Sequence, residues 1–313
     1  MKILITGGAG FIGSNLVKFH LDKKDYVWMI DNLITGSKNN VKEFLSSKNF
    51  RFIEADIIDF DYSGLPSFDV IYNLASPASP KQFLKIPIEI LKTNSLGTMR
   101  ILDFFIKSNS RCFLYASTSE VYGDPLIDPQ PETYFGNVNS VGIRSCYDES
   151  KRFAESYLMT NFRKFSLNLR IARIFNTYGP KMAADDGRVV SNFINQIINH
   201  QPLTVYGDGK QTRSFCYVDD MVKGLYLLAT LPNLAGTIVN LGNPQKKTIL
   251  AIANLIKKLT NSPVKITFQK IGEDDPKKRC PDISKARILL GWEPKITLGV
   301  GLKKTIKYFQ SLK

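Results

Sequence analysis

Short apolar runs alternate with amphipathic stretches over the first 175 residues. Runs at 2–6, 26–30, 50–54, 70–74, 112–116 and 167–172 are dense in Ile, Leu, Val, Phe and Tyr and read as buried strands. Segments with apolar residues at helical spacing lie among them, at 11 to about 23, 87 to about 107 and 147 to about 163. That alternation predicts an α/β fold built on a doubly wound parallel sheet. Beyond Arg173 a Gly/Pro-rich exit ending in Gly179-Pro180 marks the start of a second, smaller lobe. There Asp185-Asp186-Gly187-Arg188 caps a helix reaching about 199, and 203–209 reads as strand and turn. Helices at 218–230, 248–260 and 298–309 complete the pattern, with no internal repeat and no low-complexity linker.

The first strand runs directly into Gly7-Gly8-Ala9-Gly10-Phe11-Ile12-Gly13. Two glycine registers fit, Gly8/Gly10/Gly13 and Gly7/Gly10/Gly13. Either gives the tight turn and close backbone approach of a Rossmann dinucleotide site, with a pyrophosphate at the helix N-terminus. The second strand ends in Asp31-Asn32, 18 residues past Gly13. A carboxylate there can accept from an adenosine ribose and repels a 2′-phosphate, which favours NAD over NADP. Asp56-Ile57 and Leu74-Ala75-Ser76-Pro77 close the next two strands, where an adenine edge and a nicotinamide ribose would lie. Lys92-Thr93-Asn94 either face the cofactor or sit on a plain amphipathic helix. The strand at 112–116 delivers Ser117-Thr118-Ser119-Glu120 to the carboxyl edge of the sheet, where open α/β sheets bind ligands. Tyr147 and Lys151 then lie one helical turn apart. A phenol beside an ammonium can serve as a general base, and the same spacing also describes an ordinary surface pair.

Size and composition narrow the classes. A chain of 313 residues, 43% apolar, holds a full core. The apolar run at the N-terminus is too short for a signal peptide and no stretch suits a bilayer, so the cytoplasm is the expected compartment. Cys112, Cys146, Cys216 and Cys280 form no CxxC pair, and His20 and His200 are the only histidines, so no metal site is expected. The net charge of +14 invites a nucleic-acid reading. Yet the basic residues are spread out, with only short clusters such as Lys277-Lys278-Arg279, and no aromatic-interleaved basic motif occurs. The surplus reads as a solvated surface with some service to an anionic substrate. Arg188, Arg213 and Arg279 could converge on a diphosphate or carboxylate, or be surface residues.

The ordered set ITGGAGFIGS (5–14), DN-x-x-TG (31–36), LASPASP (74–80), STSEVYGDP (117–125), RSCYDE-x-KR (144–152), ARIFNTYGP (172–180), DDGRVVSNFI (185–194), LTVYGDG-x-QTRSFCYV (203–218), NLGNP (240–244) and PDISKA (281–286) resembles the extended short-chain dehydrogenase/reductase family along the whole chain. Within it the chain is similar to the UDP-glucuronate decarboxylase (UDP-xylose synthase) branch. The resemblance implies tightly held, recycled NAD in contact with Gly7, Gly10, Phe11, Ile12, Gly13, Asp31, Asn32, Thr35, Gly36, Asp56, Ile57, Leu74, Ala75, Ser76, Thr93, Ser117, Tyr147, Lys151, Thr177 and Arg188. It implies UDP-sugar contacts from Pro77, Lys92, Glu120, Asn176, Arg188, Thr204, Val205, Tyr206, Gln211, Arg213 and Arg279. By the same resemblance Tyr147 is the base, Lys151 its modulator, and Thr118 the partner of the sugar 4-hydroxyl. Ser119 and Glu120 belong to the catalytic group, Glu120 as its carboxylate, and Arg279 meets the sugar carboxylate or ring.

The implied domains are an NAD-binding unit at 1–175, with 218–242 returning to it, and a UDP-sugar lobe at 176–217 and 243–313. A homodimer through a four-helix bundle, pairing helices near 90–107 and 147–163, is also implied, with neither nucleic acid nor membrane as partner. A 4,6-dehydratase of the same fold would carry Asp-Glu after the Thr, where this chain has Ser119-Glu120; a 4-epimerase would lack the Glu. An NAD-binding scaffold and a basic nucleic-acid binder are the non-enzymatic alternatives. Three positions depart from the family pattern: Ser150 for Gly, Ile143 for Pro, and Cys280 for a basic residue.

Overall fold

The structure, a computed structural model, describes residues 1–270 and 278–312, so Lys277 lies outside the described residues. Six strands, β1 (Lys2–Thr6), β2 (Tyr26–Asp31), β3 (Phe50–Glu54), β4 (Val70–Asn73), β5 (Phe113–Thr118) and β6 (Leu169–Ile174), join Thr237–Leu241 in one sheet. Its order is Thr237–Leu241, β6, β5, β4, β1, β2, β3, and every pairing is parallel. Strand order reverses beside β1, which places a crevice at the carboxyl ends of β1 and β4.

Alternation along the strands explains the two covered faces. Ile3, Ile5, Val27 and Met29 project into one core with Leu16 and Val17 of α1 (Phe11–Asp22). Leu4, Ile30, Ile71, Phe113 and Tyr115 project the other way. They meet Ile101, Leu102 and Phe105 of α4 (Thr98–Lys107) and Ala154 and Leu158 of α5 (Ser145–Phe165). Each such side chain contributes roughly 1.5–3 kcal/mol on leaving water.

The helix expected at 87–107 is not continuous. After α2 (Pro80–Lys85) and α3 (Pro87–Lys92), a π-helical turn at Thr93–Gly97 intervenes before α4. A wider turn shifts the helix face that follows it relative to the one before. Thr93 reaches the crevice, whereas Lys92 is exposed to solvent and does not line it. Two strands run further than their apolar patterns. β5 includes Ser117 and Thr118 and β6 includes Arg173 and Ile174, because each extension pairs with the other.

The remaining segments pack at the carboxyl end. Leu203–Tyr206 pairs with Ile266–Gln269, and Thr212–Ser214 lies between Lys246–Thr248 and Lys278–Arg279. Val218–Thr230 and Thr237–Leu241 return to the main sheet, the helix against α1 and the strand against β6. All four cysteines are free and buried. No described helix is long and apolar enough to cross a membrane.

Candidate active site

A cavity of about 1070 Å³ opens at the carboxyl edge of the sheet. Its floor starts at the glycine loop. Gly7, Gly10 and Gly13 line it, while Gly8 is turned away onto Met29, so the Gly7/Gly10/Gly13 register faces the cavity. A Cβ on Gly13 would stand 2.2 Å from the Gly7 carbonyl oxygen, and one on Gly7, at φ +71°, would stand 2.7 Å from the Ala75 nitrogen. No acidic residue occupies the first turn of α1, and the first amide bonded back into the helix is that of Ser14. The N–H groups of Phe11, Ile12 and Gly13 therefore offer an anion site reinforced by the helix dipole. These features fit the diphosphate of a dinucleotide.

Asp31 has an additional duty. Its Oδ2 accepts from the Ala9 amide at 2.9 Å and its Oδ1 from Leu33 at 2.8 Å, which fixes the glycine loop against β2. Burial raises its pKa above the ordinary carboxylate value, and these backbone donors partly offset that. Each oxygen keeps a second lone pair for a ligand hydroxyl. Asn32 donates to Asp56 at 2.8 Å, tying the ends of β2 and β3 together. Thr35, Gly36, Ile57, Leu74, Ala75, Ser76 and Pro77 continue the wall. Across the opening, Lys181 donates to the Asn40 carbonyl at 2.7 Å and pairs with Glu43 at 3.0 Å.

The reactive cluster sits at the end of β5. Tyr147 and Lys151 rise from the first two turns of α5, both buried and both in the cavity wall. Thr118 stands beside the Tyr147 hydroxyl and favours its ionised form, and the Tyr147 ring stacks on Phe83 with centroids 5.1 Å apart. Burial pushes the phenol up, against the smaller opposing effects of Thr118 and of Arg188 and Arg144. Lys151 donates from Nζ to the Ala116 carbonyl at 2.8 Å and lies 5.7 Å from the Tyr147 ring centroid. Burial pulls its pKa down to about 7, with Glu155 acting in the opposite direction.

Beside this pair, Glu120 receives Arg144 Nη2 on Oε2 and Arg279 Nη1 on Oε1. Arg279 also donates to the Gly123 carbonyl at 3.1 Å, and its guanidinium, lowered to about 9 by burial, stays a cation at neutral pH. Arg144 is the residue that sequence reasoning missed. The available signal was its position three before Tyr147, which shares a helix face with it. Ser119 is buried at the start of the 3₁₀ turn Ser119–Tyr122.

Below the cavity runs a chain of buried polar groups. Ser117 donates to Glu155 at 2.6 Å, and Arg173 grips the same carboxylate at 3.0 and 2.6 Å. Arg173 also donates to Tyr122 at 2.9 Å, Tyr122 to Asn240 at 2.8 Å, and Asn240 to the Gln130 carbonyl at 2.9 Å. Gln130 then accepts from the Cys280 amide at 2.8 Å, next to Arg279. Cys280, where a basic residue was expected, thus buries its side chain and uses its backbone.

Arg188, Arg213 and Arg279 all line this cavity. Arg213 and Arg279 are cross-strand partners, and Arg188 donates to the Ala78 carbonyl at 2.8 Å. Asn176, Thr177, Thr204, Tyr206 and Gln211 line it too. Val205 does not: alternation on its strand turns it into the core, fully buried, between two cavity-facing neighbours.

A glycine cradle, a Tyr/Lys pair and a carboxylate flanked by cations now share one cavity. A family model described as the NAD dependent epimerase/dehydratase family matches residues 3–242. The chain belongs to this NAD dependent epimerase/dehydratase family. Among curated members of the family, the chain is 49% identical over 310 residues to UDP-glucuronic acid decarboxylase 4 of Arabidopsis thaliana, covering 99% of this chain and 69% of that one. It is equally identical over 310 residues to UDP-glucuronic acid decarboxylase 1 of Xenopus tropicalis, covering 99% and 72%. The solved structure of UDP-glucuronic acid 4-epimerase from Bacillus cereus, in complex with UDP-glucuronic acid and NAD, is 30% identical with a TM-score of 0.91, covering all of both chains. Members of this epimerase/dehydratase family share the fold and differ in reaction, so the choice among reactions rests on the side chains next to Tyr147.

Proposed function

We infer that the chain catalyses the NAD-dependent decarboxylation of UDP-glucuronate to UDP-xylose. The observation that carries this reading is the Thr118-Ser119-Glu120 triple. Thr118 stands beside Tyr147, Glu120 is tied to Arg279, and a hydroxyl stands between them where a dehydratase needs a second carboxyl group. Bound NAD supplies a hydride acceptor for C4 of the sugar and later returns that hydride to the same carbon. Tyr147 takes the 4-hydroxyl proton, with Thr118 holding that oxygen and Lys151 supplying positive charge nearby. Oxidation at C4 makes the C5 carboxylate a β-keto acid, so carbon dioxide can leave with its bonding electrons passing into the carbonyl as an enolate. Glu120, or a water held on it, relays the proton that C5 then takes up, and Arg279 orients the sugar.

The cofactor-side wall, from the glycine loop to Ser76 with Thr93, Ser117 and Thr177, is assigned to NAD. Asn176, Thr204, Tyr206, Gln211 and Arg213 are assigned to the UDP-sugar, with Arg188 reaching both. Thr177 apart, this division follows residues 1–175 with 218–242 for NAD, and 176–217 with 243–313 for the sugar nucleotide. Because NAD is restored at each turnover, it need not leave between cycles. Leu84, Ile88, Leu91, Leu96 and Phe153 leave apolar surface exposed on α2, α3, the π turn and α5, which suits a dimer through a four-helix bundle. Four free thiols suit the cytoplasm.

The deciding experiment incubates purified protein with UDP-glucuronate, with and without added NAD, and follows product mass. Loss of carbon dioxide supports the reading, and loss of water points to a dehydratase. An unchanged mass with inverted C4 points to an epimerase, a reaction carried out by the Bacillus cereus neighbour.

A further inference from the structure

We propose that Arg144 is a specificity-determining residue that, together with Arg279, makes the site select a sugar bearing a carboxylate over a neutral one. The inference rests on the decarboxylase reading and adds to it a residue not assigned above to any role.

The starting point is a charge count at one place. Glu120 presents two carboxylate oxygens, and each already carries a guanidinium, Arg144 on Oε2 and Arg279 on Oε1. The three side chains are largely buried, 16%, 14% and 4% exposed for Arg144, Glu120 and Arg279, and all three line the cavity. Two cations meet one anion in the cavity wall, and a second carboxylate, Asp148, pairs with Arg144 from behind it. Its Oδ2 approaches Arg144 Nε only at 4.0 Å, from the helix, and it is not among the residues lining the cavity.

Unfilled hydrogen-bonding capacity points the same way. Arg279 Nε is buried without a hydrogen-bond partner, an expensive state for a guanidinium donor. Arg144 spends Nη2 on Glu120 and lays its plane near Phe83, with the guanidinium carbon 5.3 Å from the ring centroid. Phe83 in turn stacks on Tyr147. The fork of Arg144 is therefore held in fixed relation to the proposed base. A hexuronate whose 4-hydroxyl meets Tyr147 carries its carboxylate on the adjoining carbon, within the same neighbourhood. That carboxylate can accept from the guanidinium forks that Arg144 and Arg279 present to the cavity. A neutral hexose brings only a hydroxymethyl group, which makes no charge-assisted pair with either guanidinium. Once carbon dioxide has left, the sugar no longer carries the anion, so the clamp holds product less tightly than substrate.

The test uses binding without turnover. In a Tyr147→Phe background loaded with NAD, dissociation constants for UDP-glucuronate and UDP-glucose are measured by calorimetry, with Arg144 intact, as Arg144→Met, and as Arg144→Lys. The parent should favour UDP-glucuronate, and Arg144→Met should reduce that preference by about ten- to a hundredfold while UDP-glucose binding changes little. Arg144→Lys should retain part of the preference. If Arg144→Met does not fold, as judged by its melting curve and NAD content, the Lys variant decides alone. A preference that survives replacement of Arg144 within twofold overturns this inference and leaves the decarboxylase reading intact. Absence of any preference in the parent sinks both.

Discussion

Tyr147 and Lys151 do not form a ready phenolate in the structure. Burial raises the phenol and lowers the ammonium, so both move toward their neutral forms. What remains is a base that becomes effective when further positive charge arrives beside it, as an oxidised nicotinamide would provide. Removing the hydroxyl should lower turnover by about a thousandfold, within the usual range for general bases, with UDP binding and the melting temperature nearly unchanged. Turnover of Tyr147→Phe within tenfold of the parent would remove the assignment. The Lys151 value near 7 has a second outcome in cofactor-free protein. The unfolded lysine titrates near ~10.4, so between the two values the unfolded chain binds more protons and stability rises with pH. Cys112 and Cys280, pushed up to about 11 by burial, act in the opposite sense once the unfolded thiols begin to ionise. The gain from Lys151 should therefore show between about pH 7 and 9, as a rising denaturation midpoint that is absent in Lys151→Met.

At the level of elements, what the sequence revealed depended on how far apart the partners were. The glycine loop, β1 to β4 and the Tyr147 helix follow local rules of spacing and turn chemistry, and they stand where those rules put them. The π turn had no such signal. Its helix pattern is unbroken, and the distortion is tied to distant groups: Asn94 donates to Ser150 at 3.0 Å, and a Cβ on Gly97 would meet Ile57 at 2.5 Å. Ser150, departing from the expected Gly, is thus bonded to the turn that carries Thr93. The ends of β5 and β6 were equally hidden, because Ser117 and Arg173 look like loop residues until Glu155 is known to hold both. Gly13 shows local and tertiary preferences in conflict. Helix propensity favours Ala over Gly by roughly 1 kcal/mol, but the new Cβ would sit 2.2 Å from a backbone oxygen that cannot rotate away. Packing should prevail: we expect Gly13→Ala to destabilise the protein by roughly 1–3 kcal/mol and to lose most bound NAD, as read by denaturant titration and nucleotide content.

For the molecule as a whole, the site is assembled from parts far apart in the chain. Arg279 reaches Glu120 across a sequence separation of 159, and no local pattern announces that pairing. The net charge of +14 also acts at this scale. A strongly basic protein attracts a polyanionic sugar nucleotide from a distance, and salt screens that attraction beyond roughly 8 Å at physiological strength. We expect kcat/KM for UDP-glucuronate to fall severalfold between low and about 0.5 M salt while kcat stays nearly level; a parallel fall in both would argue against steering. The level kcat is a consequence of the buried chain from Ser117 through Glu155, Arg173, Tyr122 and Asn240 to Gln130. These groups bond to one another below the cavity, so bulk salt screens them less than it screens an approaching substrate. Substrate arrival is then a property of the medium, and the chemical step a property of the interior.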